Sequence, residues 1–216
     1  MACTALLIGS SARLLDAALW RVEQWQSTPN LTQRIFERRS VAHQLNVDRL
    51  VPSGAILFFG DSHLQTLPVG GLAQAYNFAI GGETAERLSR RLGQYTSLHA
   101  ASAVVIGAGT NDLAEGRSVE AAISSWNEIL RQLPASAKVV CVDIPVNRDL
   151  DRSVPQEAFN RQLAQMCAQR GYAVVSAFQG DGQWVNRAFS ADGVHLDGVG
   201  SVSLLDRIKR VLQRNP

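Results

Sequence analysis

From about residue 55 onward, short apolar runs alternate with segments of helical periodicity, and that alternation leaves few folds open to the chain. The strand candidates are Ala55–Phe59, Ala75–Ala79, Ala103–Gly107, Lys138–Asp143 and Ala173–Ser176. Helical patterns lie between them near Thr84–Tyr95, Ser118–Leu133 and Pro155–Arg170, with a last one over Gly198–Gln213. Strand–helix–strand repeats of this size join parallel neighbours in one sheet. Several of the runs are apolar at consecutive positions, as strands covered on both faces must be. An α/β fold on a parallel sheet is expected.

The helices carry local signals of their own. Ser118 can cap the helix that follows it, and Pro155 suits a first helical turn. Over Thr84–Tyr95, Ala85, Leu88 and Leu92 share one face. Arg87, Arg90 and Arg91 fall elsewhere and read as a solvated face.

At 216 residues, 46% hydrophobic and 19% charged, the chain can bury the core of one such domain. A formal net charge of +2 offers no dedicated nucleic-acid surface. The three cysteines, Cys3, Cys141 and Cys167, show neither metal-ligand nor redox spacing. Cys141 and Cys167 lie in apolar segments and read as buried free thiols. That usage leans towards a reducing, cytoplasmic setting, with a periplasmic or membrane-tethered one as the alternative.

The first 50 residues follow a different pattern and read as a helical extension on a main domain of residues 51–216. Ala2–Ser11 is apolar, but Arg13 and Asp16 interrupt it early, which argues against a membrane span or a secretory signal. Ala12–Gln26 is expected to form an amphipathic helix, the alternative being a remnant membrane anchor. Leu31–Leu45 is expected to be helical, with Leu31, Ile35 and Leu45 on one stripe. Val51-Pro52-Ser53-Gly54 ends it.

Four blocks carry chemistry: Gly60-Asp61-Ser62-His63, Gly81-Gly82-Glu83-Thr84, Gly109-Thr110-Asn111-Asp112 and Asp192-Gly193-Val194-His195. The first three follow the first three strands, and the last precedes the final helix. In a doubly wound sheet ligands gather at the carboxyl ends of strands, so the blocks should converge there. A serine hydroxyl becomes a nucleophile when a base within hydrogen-bond reach takes its proton. His195 suits that base, and Asp192 suits the group that fixes its tautomer. The oxyanion formed on ester attack needs fixed donors. The backbone N–H of Ser62, the backbone N–H of Gly82 and the Asn111 side-chain amide are the candidates. Taken alone, Ser62 could be a helix cap and Asn111 a turn residue, and Gly81 competes with Gly82.

Together the blocks resemble the SGNH-hydrolase superfamily of GDSL-type esterases and lipases. The matching segments are Gly60-Asp61-Ser62, Gly82, Gly109-Thr110-Asn111-Asp112 and Asp192-Gly193-Val194-His195. The stretch Asn77–Thr84 looks closest to the branch of platelet-activating-factor acetylhydrolase catalytic subunits and small bacterial acylhydrolases. The resemblance implies a flavodoxin-like three-layer α/β/α sandwich on a five-stranded parallel sheet. It implies cofactor-free and metal-free hydrolysis of small esters through an acyl-serine. It also favours Gly82 over Gly81. Two departures stand out, His63 where leucine is common and Glu83 where aspartate is common. Asp61 and Asp112 are expected to support loops, and His63 to sit at a pocket rim.

The loops Ile144–Val154 and Ala177–Ala191 are long enough to shape an acyl pocket. Val146, Leu150, Trp184, Phe189 and Val194 are its candidate walls beside His63, and without a long lid the site should favour short or medium acyl chains. The competing reading is an O-acyltransferase or carbohydrate O-acetylesterase using the same residues. The partner implied is a small ester, with membrane contact possible through the N-terminus and oligomeric state left open.

Overall fold

The computed structural model describes residues 31–145, 153–177 and 194–214. Five parallel strands form one sheet: β1 (Ile56–Gly60), β2 (Ala75–Asn77), β3 (Ala103–Gly107), β4 (Lys138–Val142) and β5 (Ala173–Val175). Their spatial order is β2-β1-β3-β4-β5, the flavodoxin-like order, whose switch point lies between β1 and β3. The helices are α1 (Leu31–Asp48), α2 (Ser62–Gln65), α3 (Ala85–Leu92), α4 (Thr110–Ala114), α5 (Val119–Gln132), α6 (Ser153–Ala168) and α7 (Gly198–Gln213). The expected amphipathic helix over Ala12–Gln26 lies outside the described residues.

Side chains alternate across the strands and feed two cores, which is why the sheet needs helices on both faces. Leu57, Phe59, Val104, Ile106, Val139 and Cys141 pack with Leu88 and Leu92 of α3, Trp126 of α5 and Phe159 of α6. Phe58, Val105, Val140 and Val142 pack with Leu64 of α2 and Leu204, Leu205 and Ile208 of α7. The three-layer sandwich expected from the resemblance is present.

α1 is helical as expected, but its docking is not. Leu31 and Ile35 are exposed and Leu45 only partly buried, whereas Gln44 and Asp48 are buried. Leu45 and Val47 pack against the first core, and polar groups hold the rest of the helix. Asp48 accepts hydrogen bonds from the Thr96 N–H and hydroxyl at 2.7 Å each, from the Ser97 N–H at 3.2 Å and from the Ser97 hydroxyl. Burial pushes the Asp48 carboxyl up, but the bonds from Ser97 and Thr96 outweigh it and hold the group below its ordinary value.

Two further expectations need correction. Arg91 is not on a solvated face. It is 5% exposed and grips Glu83 with two bonds of 2.5 and 2.6 Å. Arg87 is half-buried, and only Arg90 faces solvent. A buried guanidinium is tolerated because every side of it finds a partner, here including the Phe78 carbonyl at 2.8 Å and the Tyr95 hydroxyl. The second correction concerns Cys141 and Cys167, which are joined in a disulfide between β4 and α6. Twenty-six residues separate them in sequence, and only the strand-to-helix crossover brings them together. The bridge removes the argument for a reducing compartment.

Candidate active site

β1 and β3 end level with each other, Gly60 paired with Gly107. A Cβ on Gly60 would lie 2.0 Å from the Gly107 carbonyl oxygen, so a glycine is required for the two strand ends to close up. The chain then turns at Asp61, whose carboxylate accepts the His63 N–H at 3.0 Å and caps α2. Ser62 is therefore the first residue of a four-residue helix at the switch point. That helix is too short to leave a periodicity in the sequence.

The segment after β2 folds over Ser62. The Glu83 N–H bonds the Ile80 carbonyl at 3.2 Å, closing a turn in which Gly82 takes φ +78°, a conformation that suits glycine. A Cβ on Gly81 would come within 3.8 Å of the Ser62 Cβ, which locates the turn beside the serine. Asn111 stands one residue inside α4 and donates its Nδ2 to the Glu83 carbonyl at 3.0 Å. An amide nitrogen carries two hydrogens, so this bond orients the group and leaves a second donor. The backbone N–H groups of Ser62 and Gly82 have no hydrogen-bond partner among the described residues.

His195 lies just before α7 and is anchored by its neighbours. Leu196 is buried in the second core, and Asp197 caps α7 through the Gly200 N–H at 2.8 Å. The His195 ring lies 5.8 Å, centroid to centroid, from that of His63. His63 itself is 5% exposed, deeper than a rim position. Val194 is partly buried next to His195. Asp192, Val146, Leu150, Trp184 and Phe189 lie outside the described residues.

Buried acids surround the site. Burial pushes the Asp61 carboxyl up to about 7, against the His63 N–H bond, with Asp112 and Glu83 nearby adding to the rise. Burial likewise raises Asp112 to about 6 while its Oδ2 accepts the Ala85 N–H at 2.7 Å, tying α4 to the start of α3. Burial pushes the Glu83 carboxyl up, opposed by the Arg91 guanidinium. Among the described residues no group of three or more His, Cys, Asp or Glu side chains is arranged to hold a metal ion.

Ser62, the Gly81–Gly82 turn and the Asn111 amide come together at the carboxyl ends of β1 and β3. The family model for GDSL-like lipases and acylhydrolases matches residues 58–201. The chain belongs to that family. This GDSL-like protein is thus an ester hydrolase at that general level, and the matched span contains Ser62, Gly82, Asn111, Asp192 and His195. No curated protein sequence matches it. Solved structures share its fold. A candidate platelet activating factor from Streptococcus pneumonia superposes with a TM-score of 0.72 at 17% identity, covering 94% of this chain and 99% of the other. A GDSL-like lipase from Bacteroides thetaiotaomicron gives 0.61 at 18% identity, covering 80% and 95%. The psychrotrophic esterase EstA from Pseudoalteromonas sp., in a structure inhibited by monoethylphosphonate, gives 0.58 at 18% identity, covering 74% and 97%. Among the described residues of the GDSL-like hydrolase no helix is long and apolar enough to cross a membrane.

Proposed function

We propose that this GDSL-like hydrolase cleaves small carboxylic esters through an acyl-serine on Ser62, with His195 as base and Asp192 orienting the imidazole. The observation that carries the proposal is the meeting of Ser62, the Gly81–Gly82 turn and Asn111 at the β1/β3 switch point.

His195 takes the Ser62 hydroxyl proton as the oxygen attacks the ester carbonyl carbon. The carbonyl oxygen becomes an oxyanion and is met by the N–H groups of Ser62 and Gly82 and the second Asn111 amide hydrogen. Collapse breaks the bond to the alkoxy group, which leaves as an alcohol carrying the proton held by His195. Water then attacks the acyl-serine with His195 again as base, releasing the acid and restoring Ser62. The residues 51–216 act as the catalytic unit in this reading, and Val146, Leu150, Trp184, Phe189 and Val194 with His63 wall an acyl pocket for short or medium chains. Transfer of the acyl group to another alcohol would use the same machinery.

A p-nitrophenyl ester series from acetate to palmitate, run on the wild-type protein and on Ser62→Ala, tests the proposal. Turnover should fall at least about 10³-fold in the variant, and the chain-length optimum sizes the pocket. Equal turnover by the two proteins would remove Ser62 from the mechanism. With an added alcohol acceptor, dominant free acid would rule against transfer.

A further inference from the structure

The turn that carries Gly82 is gripped from outside the family-matched span, by α1. Gln33 donates its Nε2 to the Gly81 carbonyl at 3.0 Å and to Glu37 Oε1 at 3.0 Å. Its amide sits so close that a Cβ on Gly82 would lie 2.6 Å from the Gln33 Nε2. Glu37 in turn pairs with Arg87 at 3.1 Å. Arg87 donates to the Gly82 carbonyl at 2.5 Å and also holds Glu115 through bonds of 3.1 and 2.8 Å. Both carbonyls of the turn are therefore engaged by side chains, and the chain Gln33–Glu37–Arg87 links them.

We propose that Gln33 is a positioning residue that aims the Gly82 N–H at the developing oxyanion. The proposal rests on the oxyanion role proposed for Gly82. The Gly81 carbonyl and the Gly82 N–H belong to one planar peptide unit, which is trans here as throughout the described chain. In such a unit the C=O and N–H point in opposite directions. Anchoring the carbonyl on Gln33 therefore fixes the N–H on the side away from α1, where it meets no partner among the described residues. The neighbouring Gly81 faces Ser62 and Gln65, so the turn lies between the nucleophile candidate and α1. Glycine at 82 is free to rotate, and without an external anchor the peptide can flip and carry its N–H out of register. A hydrogen bond on the carbonyl also polarises the peptide and strengthens the N–H as a donor.

An aim that matters only once the oxyanion forms should show in kcat rather than KM. Gln33→Met keeps the length and removes the donor, while Gln33→Lys restores a donor within reach of both Gly81 and Glu37. On p-nitrophenyl acetate Gln33→Met should lose on the order of 10-fold in kcat, less than the full loss of an oxyanion donor, with KM within about twofold. Gln33→Lys should recover most of that loss. In 15N-labelled protein the Gly82 amide resonance should move in Gln33→Met and return towards its wild-type position in Gln33→Lys. An unmoved Gly82 amide in Gln33→Met overturns the proposal, as does unchanged kcat beside a Ser62-dependent wild-type reaction. A Gln33→Lys protein as slow as Gln33→Met also overturns it. If wild-type turnover does not depend on Ser62, the reading of the reaction falls instead, and the Gly82 resonance alone decides what Gln33 does.

Discussion

The sheet is held almost wholly by apolar contact, α1 by a few apolar contacts and a larger set of polar ones. β3 is buried along its whole length by apolar neighbours, and its strand partners and covering helices contribute Leu, Val, Ile, Phe and Trp. α1 leaves Leu31, Ile35 and Phe36 to solvent. Leu45 and Val47 at its C-terminal end pack against the first core, and Gln33, Glu37, Gln44 and Asp48 add polar docking along its length. Apolar contact is non-directional and secures a layer, whereas hydrogen bonds secure a particular geometry. The contrast matches the two tasks: the sheet supplies a rigid frame, and α1 holds one turn of the site at a set angle.

The contrast is sharpest at the buried ends of the scale. Phe59→Ala, in the apolar core, should cost about 3–5 kcal/mol by urea denaturation. Arg91→Met should cost a similar ~3–5 kcal/mol, because it strands the Glu83 carboxylate and frees the Phe78 carbonyl. A loss below about 1 kcal/mol for Arg91→Met would show the polar network to be incidental. The double variant Glu83→Met with Arg91→Met should recover part of the loss, since an apolar pair removes both buried charges.

Asp61 adds a pH signature. Its folded-state value of about 7 lies above the ordinary 3.8, so the protonated carboxyl stabilises fully below the lower value and that contribution is lost as pH rises through the upper one. Between about pH 4 and pH 8 the stability of Asp61→Asn should gain on the wild type by at most about 4 kcal/mol. A difference independent of pH would show the carboxyl to be ionised throughout.

Smaller effects follow on α1. Asp48→Ala should cost about 1–3 kcal/mol by leaving the Thr96 and Ser97 donors without their acceptor. Ile35→Ser, at a site 44% exposed, should stay within about 0.5 kcal/mol of wild type. A larger loss for Ile35→Ser would mean that the apolar side of α1 is covered.

What could be read from the sequence follows the same division. Ala103–Gly107 and Gly198–Gln213 have the boundaries expected of them, because continuous apolar runs and a long amphipathic pattern leave a direct trace. Ser118 caps α5 as its position suggests. The sequence offered Ser62 as a possible cap of a helix after the first strand, but Asp61 is the cap and Ser62 the first residue of that four-residue helix. The five-residue helix carrying Asn111 is too short for a period to show. The polar docking of α1 and the burial of Arg91 depend on partners dozens of residues away, such as Gln44 on Arg91 and Asp48 on Ser97. The disulfide between Cys141 and Cys167 was hidden for the same reason. At the site, the residue types in the Ser62, Gly82 and Asn111 blocks were legible. The grip of Gln33 on Gly81 was not, because a lone glutamine on an exposed-looking helix carries no signal.

The central claim is that Ser62 is an activated nucleophile, and covalent capture tests it most directly. The wild-type protein should take up one equivalent of an alkyl p-nitrophenyl phosphonate, with the added mass on the peptide containing Ser62 and with Ser62→Ala left unlabelled. An unlabelled wild type, or an adduct on any other residue that persists in Ser62→Ala, would contradict the account.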